Sequence, residues 1–377
     1  MAGGEAQSVR RIAERDLHTF TTHLLVRVGL REEDATATAD VLVASDVRGI
    51  ASHGMARLAY YVLSLENGGI DPRATPEIVR ESATTAVLDA RHGMGHPAGI
   101  RAMTLAIEKA AAHDLGTVTV RHSNHYGIAG YYAMMALERD MIGISMTNTH
   151  PGVAPTGGRS RVYGTNPIAI AIPTAGPLPF VLDMATSAVP YGRLEVASRR
   201  GTSLAEGWAL DADGRPTTNT DAALIGMLLP LGGAVITSGY KGYGLALAIE
   251  LLSAVLPGSL YGPLVHPMAD GSSPSDLGQF FMAINVAAFD DQTSFKERAA
   301  DLLRLVKDSP RADIDTEILV AGEKEQRATE TARQLGVPIE EPVAVVLEEL
   351  AARYGISSPF TGAWATVPIA PAREAGE

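Results

Sequence analysis

The hydrophobic period of this chain changes twice. Toward both ends apolar residues recur at helical spacing, whereas the middle reads as short β-branched and apolar runs separated by glycine and proline. Amphipathic helices at the two ends cannot bury their stripes alone. The pattern therefore constrains the chain to a discontinuous α/β layout, in which the terminal helices pack together beside a central sheet. At 377 residues the chain exceeds one small core. The expected divisions are 1–70 and 291–356 as two parts of a helical domain, 71–290 as the sheet domain between them, and 357–377 as a flexible tail rich in proline, alanine and glycine.

In order, Ser8 is placed as an N-cap, with Val9, Ile12, Leu17, Phe20, Leu24 and Leu25 on one stripe that ends at Gly29. A second helix is expected over 32–48, and a third from Ser52 to the stop at Gly68 and Gly69. PEIVRES and TAVLDARHG read as strands, followed by a helix over 98–113 that Gly116 terminates. Residues 128–139 read as a buried helix, and 141–147, 167–173, 179–187 and GQFFMAINVAAF as strands. Amphipathic helices over 294–307, 323–335 and 341–354 complete the series.

The chemistry concentrates in TVTVRHSNHYG, Thr117 to Gly127. A β-branched strand breaks there into a polar loop with two histidines, so a rigid element would hold titratable side chains at its end. Imidazole exchanges a proton near neutral pH with little tuning, which singles out His125. A second group lies in ASHGMARLAYY, where Ser52, His53 and Arg57 fall within six positions. With Ser52 as a helix cap, His53 and Arg57 would lie one turn apart on the same side. The plain structural readings are a loop-tying histidine, a capping serine and solvated charges.

Several function classes are excluded or disfavoured. The sequence has no cysteine, so disulfides, thiolate nucleophiles and cysteine metal sites are ruled out. The formal charge of -12, with no block of lysine and arginine, opposes nucleic-acid binding. No apolar run is long enough for a membrane span and the N-terminal stretch lacks a secretory core, so a cytoplasmic location is expected. GMGHPAG (93–99) has the wrong glycine spacing for a Rossmann fingerprint. By contrast, Leu228 to Gly258 reads as a glycine loop feeding an apolar helix that carries Lys241 at its start, an arrangement suited to phosphate but not a Walker loop. Asp183 ends an apolar strand, where a ribose hydroxyl or local backbone N–H groups would satisfy it.

Six blocks, SHGMARLAYY, RHSNHYG, APTGG with GTNPIAIAIP, VLDMATS, GWALDADGRPTT and GYKGYGLALAIELL, resemble the malate/L-lactate dehydrogenase type 2 oxidoreductases over roughly residues 8–355. That family includes L-sulfolactate, ureidoglycolate and diketogulonate dehydrogenases and cyclic imino-acid reductases. The resemblance implies NADH or NADPH as cofactor, a non-Rossmann mixed-sheet cofactor domain, a helical domain from both chain ends, a small carboxylate substrate and a homodimer or higher oligomer. By motif it implies His53 and His125 as proton-transfer residues and Ser52 and Arg57 as substrate contacts. Asp183, Met184 and Ala185, with Lys241, Gly242, Gly322 and Glu323, match cofactor-binding positions. Two departures stand out: GGAVITSGYKG is longer than the relatives' glycine-lysine loop, and Ala321, Gly322 and Glu323 stand where relatives often carry PGE.

Independently of the resemblance, oxidation of a 2-hydroxy acid needs a base for the hydroxyl proton and a clamp for the carboxylate, roles that suit histidine and arginine. Rival readings are a cyclic imino-acid reductase on the same scaffold, a metal-dependent hydrolase or lyase using His92, His96, His122 and His125, and a non-catalytic dinucleotide-binding protein. No histidine pair has convincing metal-ligand spacing, so no metal is expected.

Overall fold

In the computed structural model, residues 6–267, 271–361 and 364–368 are described. The chain begins with a strand, β1 (Ala6–Ile12), followed by helices α1 (Glu14–Val28), α2 (Glu32–Val47) and α3 (Leu58–Asn67). β1 replaces the expected first turns of helix, and Ser8 is a strand residue rather than a cap. Val9 and Ile12 are buried, but they pair with a distant strand instead of extending the helical stripe. Gly29 ends α1 in the left-handed conformation, as its position implied.

Next come β2 (Glu77–Glu81), β3 (Thr85–Asp89), α4 (Gly95–His113), β4 (Leu115–Ser123), α5 (Ala129–Met135), β5 (Met141–Thr147), β6 (Ile168–Ile172) and β7 (Phe180–Met184). Helix α4 is capped by Asp114 at φ 69°, not by Gly116. Gly116 instead lies within β4, where an added Cβ would strike the Ala106 carbonyl of α4. Its small size sets the approach of helix to sheet.

The rest comprises α6 (Tyr191–Arg200), β8 (Ala209–Leu210), β9 (Pro216–Thr217), α7 (Thr220–Ile225), β10 (Met227–Leu228), α8 (Gly239–Glu250), β11 (Leu277–Asn285), α9 (Gln292–Lys307), α10 (Glu323–Leu335), β12 (Val337–Glu340), α11 (Glu341–Tyr354) and β13 (Ala365–Pro368). A π-helical turn, Leu251–Val255, continues α8.

Seven strands form one mixed sheet in the order β2-β3-β4-β11-β5-β6-β7. Only β3 and β4 run parallel; every other neighbouring pair is antiparallel. Along β11 the side chains alternate as the pleat requires. Phe281 and Ala283 join the cluster under α4 and α5, while Phe280 and Met282 join Met146 and Ile249 of α8 on the other face.

A second core unites the two chain ends. Leu17, Phe20, Leu24 and Leu25 of α1 and Leu58, Tyr61 and Val62 of α3 pack with Ala332 of α10, Val337 and Ile339 of β12, and Ala344 and Leu347 of α11. The expected meeting of the terminal helices is thus present, with an addition the helical periodicity did not suggest: β12, β1 and β13 form a three-stranded antiparallel sheet. Within the expected tail, Phe360 is buried against Phe20 and β13 pairs with β1. Residues 362–363 and 369–377 of that tail lie outside the described residues. Helix α9 joins neither cluster; it bonds to Ala175 through the Lys296 carbonyl and to Asp140 through the Lys296 ammonium.

Candidate active site

The loop after β4 is fixed before it reaches His125. Asn124 is buried, donates to the carbonyls of His92 and Gly93 at 3.0 Å each, and accepts from Ser275 N–H at 3.1 Å. Two separate segments therefore clamp the residue next to the imidazole. His125 itself is half-buried. Its Nδ1 lies 2.6 Å from the Tyr61 hydroxyl and 3.3 Å from the Gly127 N–H.

The opposing group does not sit on one regular helix. Ala51–His53 and Met55–Arg57 are two 3-10 turns joined at Gly54, and α3 starts only at Leu58. Ser52 is therefore not the cap of α3. The break arises from Asp46, whose Oδ2 accepts the Met55 N–H at 2.7 Å and whose carboxyl fills the space where a Gly54 side chain would project. Burial pushes the Asp46 carboxyl up to about 8, the Met55 hydrogen bond offsetting only part of the cost.

This folding brings Ser52, His53, Arg57 and His125 together. The His53 and His125 rings stack with centroids 5.6 Å apart. Ser52 Oγ is 2.9 Å from His53 Nδ1, and Arg57 Nε donates to the Ser52 carbonyl at 2.8 Å. The remaining guanidinium nitrogens are freer: Nη2 is 3.7 Å from Glu195 of α6, beyond hydrogen-bond range. A cavity of about 280 Å³ opens beside Ser52 and Arg57, lined also by Asp46, Ala59, Glu195 and Val343. It stops short of both imidazoles.

Burial and neighbouring positive charge hold both rings neutral. His53 is lowered to about 4, first by burial and then by Arg57. His125 falls well below its ordinary value through burial, with further contributions from His53, Arg57 and His96. Two neighbours were not read from the sequence as part of this group, His96 having entered only as a candidate metal ligand. Tyr61 lies four residues beyond Arg57, a helical spacing that pointed to it without naming a partner. His96 is fully buried, is lowered to about 3 by burial, and packs edge-on to Tyr61 at 4.9 Å. Its two ring nitrogens have no hydrogen-bond partner among the described residues.

The expected cofactor positions form a separate group. Asp183, at the end of β7, accepts the Gly130 N–H of α5 at 2.8 Å, and burial raises it to about 6. Met184 and Ala185 follow, half-buried. Gly322 packs on Val181, with φ 91° and room for a Cβ only at 3.0 Å from that side chain, and Val181 N–H donates to the Ala321 carbonyl at 3.1 Å. The two runs therefore adjoin. Glu323, in contrast, is engaged with Lys307 at 2.5 Å and Arg327 at 2.6 Å. Leu231 N–H donates to the Thr186 carbonyl at 2.8 Å, and Gly242 packs on Leu231, which links the glycine-lysine loop to the same region. Lys241 is exposed at the start of α8, with no ion-pair partner among the described residues.

Among the described residues, no group of three His, Asp or Glu side chains could hold a metal ion, and no helix is long and apolar enough to cross a membrane. His122 pairs with Asp89 at 2.9 Å and stacks near His92, away from the His53–His125 pair in the pattern of its contacts.

The malate/L-lactate dehydrogenase family profile matches residues 12–348. A malate dehydrogenase of Pyrococcus abyssi is 45% identical over 348 residues, 92% of this chain and 95% of that protein. An L-sulfolactate dehydrogenase of Methanocaldococcus jannaschii is 42% identical over 334 residues, 89% of this chain and 94% of its own length. The solved malate dehydrogenase structure from Pyrococcus horikoshii superposes with a TM-score of 0.86 at 41% identity, covering 93% of this chain and 97% of that one. A half-buried imidazole pair beside an arginine, set on a mixed sheet, thus occurs in a chain that belongs to the malate/L-lactate dehydrogenase family.

Proposed function

We propose that this hydroxy-acid dehydrogenase uses His125 as its acid/base and Arg57 as its carboxylate clamp on a small 2-hydroxy or 2-keto acid. The observation that carries the reading is the stacked His53–His125 pair with Arg57 next to it. Arg57 is held at Nε by the Ser52 carbonyl, so its fork is oriented while Nη2 remains available for a carboxylate. His125 is neutral at pH 7, so it accepts a hydroxyl proton on whichever ring nitrogen is bare. His53 is tied to Ser52 through Nδ1, which suits it to orient the substrate and to raise the cost of a second positive charge.

NAD or NADP fits the second group of residues. An unpaired lysine at the start of a twelve-residue helix, among glycines, supplies charge and backbone donors for phosphate. At Gly244 nothing lies within 4 Å of where a Cβ would stand, so the first turns of α8 are open to solvent there. When bound, the nicotinamide supplies the hydride acceptor or donor. Asp183, Met184, Ala185 and Gly322 would line its approach, on a sheet that lacks the doubly wound parallel order. Glu323 supports this region by fixing α10 through Lys307 and Arg327.

A homodimer is the assembly that best accounts for the face of α8 and the segment after it. Tyr240, Leu251, Val255, Leu256, Tyr261 and Leu264 are each 44–60% exposed, and large apolar side chains exposed so close together along the chain suit an interaction surface. Light scattering on wild type and on Leu256→Glu checks this, with a fall to monomer mass expected in the variant.

The functional test is a panel of 2-hydroxy, 2-keto and cyclic imino acids, each assayed with NAD(H) and NADP(H) at the nicotinamide absorbance. Turnover of a 2-keto acid is expected. Turnover confined to imino acids would move the chain to the reductase branch of the reading, and none with any member would refute it.

A further inference from the structure

Two donors converge on one nitrogen of His125. The Gly127 backbone N–H can only donate, and it points at Nδ1 from 3.3 Å; the Tyr61 hydroxyl lies 2.6 Å from the same atom. Nδ1 must therefore present its lone pair, which leaves the single ring proton on Nε2. We propose that Tyr61 is a positioning residue that sets the resting tautomer of His125 and reverses its own hydrogen bond when the ring turns over. The inference rests on His125 being the acid/base of the reading above.

The reversal follows from proton bookkeeping. A neutral ring with its proton on Nε2 can donate a hydrogen bond to a keto oxygen, but it cannot take a proton there. To act as base, Nε2 must be bare, so the ring proton must sit on Nδ1 and needs an acceptor. Gly127 N–H cannot accept. Tyr61 can, because a hydroxyl donates in one orientation and accepts in the other, and burial raises its phenol so far that it stays protonated. In oxidation, His125 would take the substrate hydroxyl proton on Nε2, and a bound oxidised nicotinamide would supply the hydride acceptor. The resulting imidazolium keeps its second proton on Nδ1, donated to the Tyr61 oxygen, and later releases one proton to solvent. Reduction runs the same transfers backward, the imidazolium returning the Nε2 proton to the new alkoxide.

The surroundings favour a hydroxyl for this task over a carboxylate. His53 is stacked on His125, His96 packs edge-on to Tyr61, and Arg57 contributes positive potential. Of these only Arg57 is charged at neutral pH, since burial lowers both other histidines. A carboxylate at position 61 would hold Nδ1 permanently as donor. The tyrosine allows both states.

The test combines a spectrum with kinetics. Long-range proton–nitrogen correlation on enzyme labelled with nitrogen-15 histidine reads the tautomer, the His125 signals being assigned by their loss in His125→Gln. Wild type without ligands should show a bare Nδ1 and a protonated Nε2. Tyr61→Phe, which removes the one group among the described residues placed to accept from Nδ1, should lower kcat at least about tenfold in both directions while KM for the keto acid stays within about threefold. A wild-type spectrum with the proton on Nδ1 overturns the proposal, as does parental kcat in Tyr61→Phe. Should that variant fail to fold, the wild-type spectrum still decides. Because the spectrum needs no turnover, failure of the substrate panel is distinguishable from failure of the tautomer assignment.

Discussion

The proposed proton-handling end of the site and the proposed nucleotide end are built by opposite means. Around His125 the work falls largely to side chains: Tyr61 and His53 touch the imidazole, Asn124 ties its loop to the His92 and Gly93 carbonyls, and Arg57 is held on the Ser52 carbonyl. Around Lys241 and Gly322 it falls to backbone, with glycines at close approaches, helix starts and an exposed cation. Proton transfer needs an atom placed within tenths of an ångström at a tuned pKa, which packed side chains provide. A long dinucleotide needs many modest contacts, which donors on the main chain provide at little desolvation cost. The comparison teaches that the two ends should fail separately.

Removing the central imidazole should have the largest effect. His125→Ala is expected to lower kcat about 100-fold or more, the usual scale of general acid–base catalysis, with cofactor affinity near parental by fluorescence titration. Next is Arg57→Lys, which keeps charge but loses the fork; steady-state kinetics should show KM for the carboxylate raised about tenfold or more. At the other end, Lys241→Ala should weaken cofactor binding about tenfold, near 1.4 kcal/mol, and the gap from wild type should narrow at high salt. Uniform loss of substrate and cofactor binding in any one of these variants would break the comparison.

Two pH measurements sharpen it with smaller effects. Since burial lowers His125, the neutral base persists as pH falls, so the acidic limb of kcat/KM for oxidation should lie below pH 6.5. Asp46 gives the opposite sign in stability. Its folded value of about 8 lies above the unfolded carboxyl's 3.8, so the folded state binds more protons between these values and wild-type stability falls as pH rises through that window. Asp46→Asn keeps an acceptor for Met55 N–H but cannot ionise. Melting curves from pH 5 to pH 8 should therefore fall less steeply in the variant than in wild type.

Much of this arrangement was legible in the sequence, for identifiable reasons. Strand β5 appears at its expected bounds, and helices α10 and α11 do so because a clean period meets stops at Gly336 and Gly355. The first strand was hidden because Val9 and Ile12 are three apart, a spacing that also suits a helix; only β12, more than 300 residues away, reveals the pairing. Asp114 took the cap assigned to Gly116 because an aspartate tolerates the left-handed conformation, and glycine was needed two residues later for packing. Ser52, His53 and Arg57 were grouped by their nearness along the chain, but the 3-10 turns that orient them depend on Asp46, a buried carboxyl that looks like any helix residue in one dimension. Tyr61 closes the block SHGMARLAYY and His96 lies in GMGHPAG, but neither block says what these side chains touch. Their roles follow from contacts made across the fold.

The most direct test of the separation is a double-mutant cycle on His125→Ala and Lys241→Ala, reading cofactor affinity by titration and the chemical step by single-turnover absorbance. The account predicts that Lys241→Ala weakens cofactor binding equally in both backgrounds, within about 0.5 kcal/mol, and that His125→Ala slows the chemical step by the same factor with or without the lysine. A coupling above about 1 kcal/mol in either quantity would contradict it.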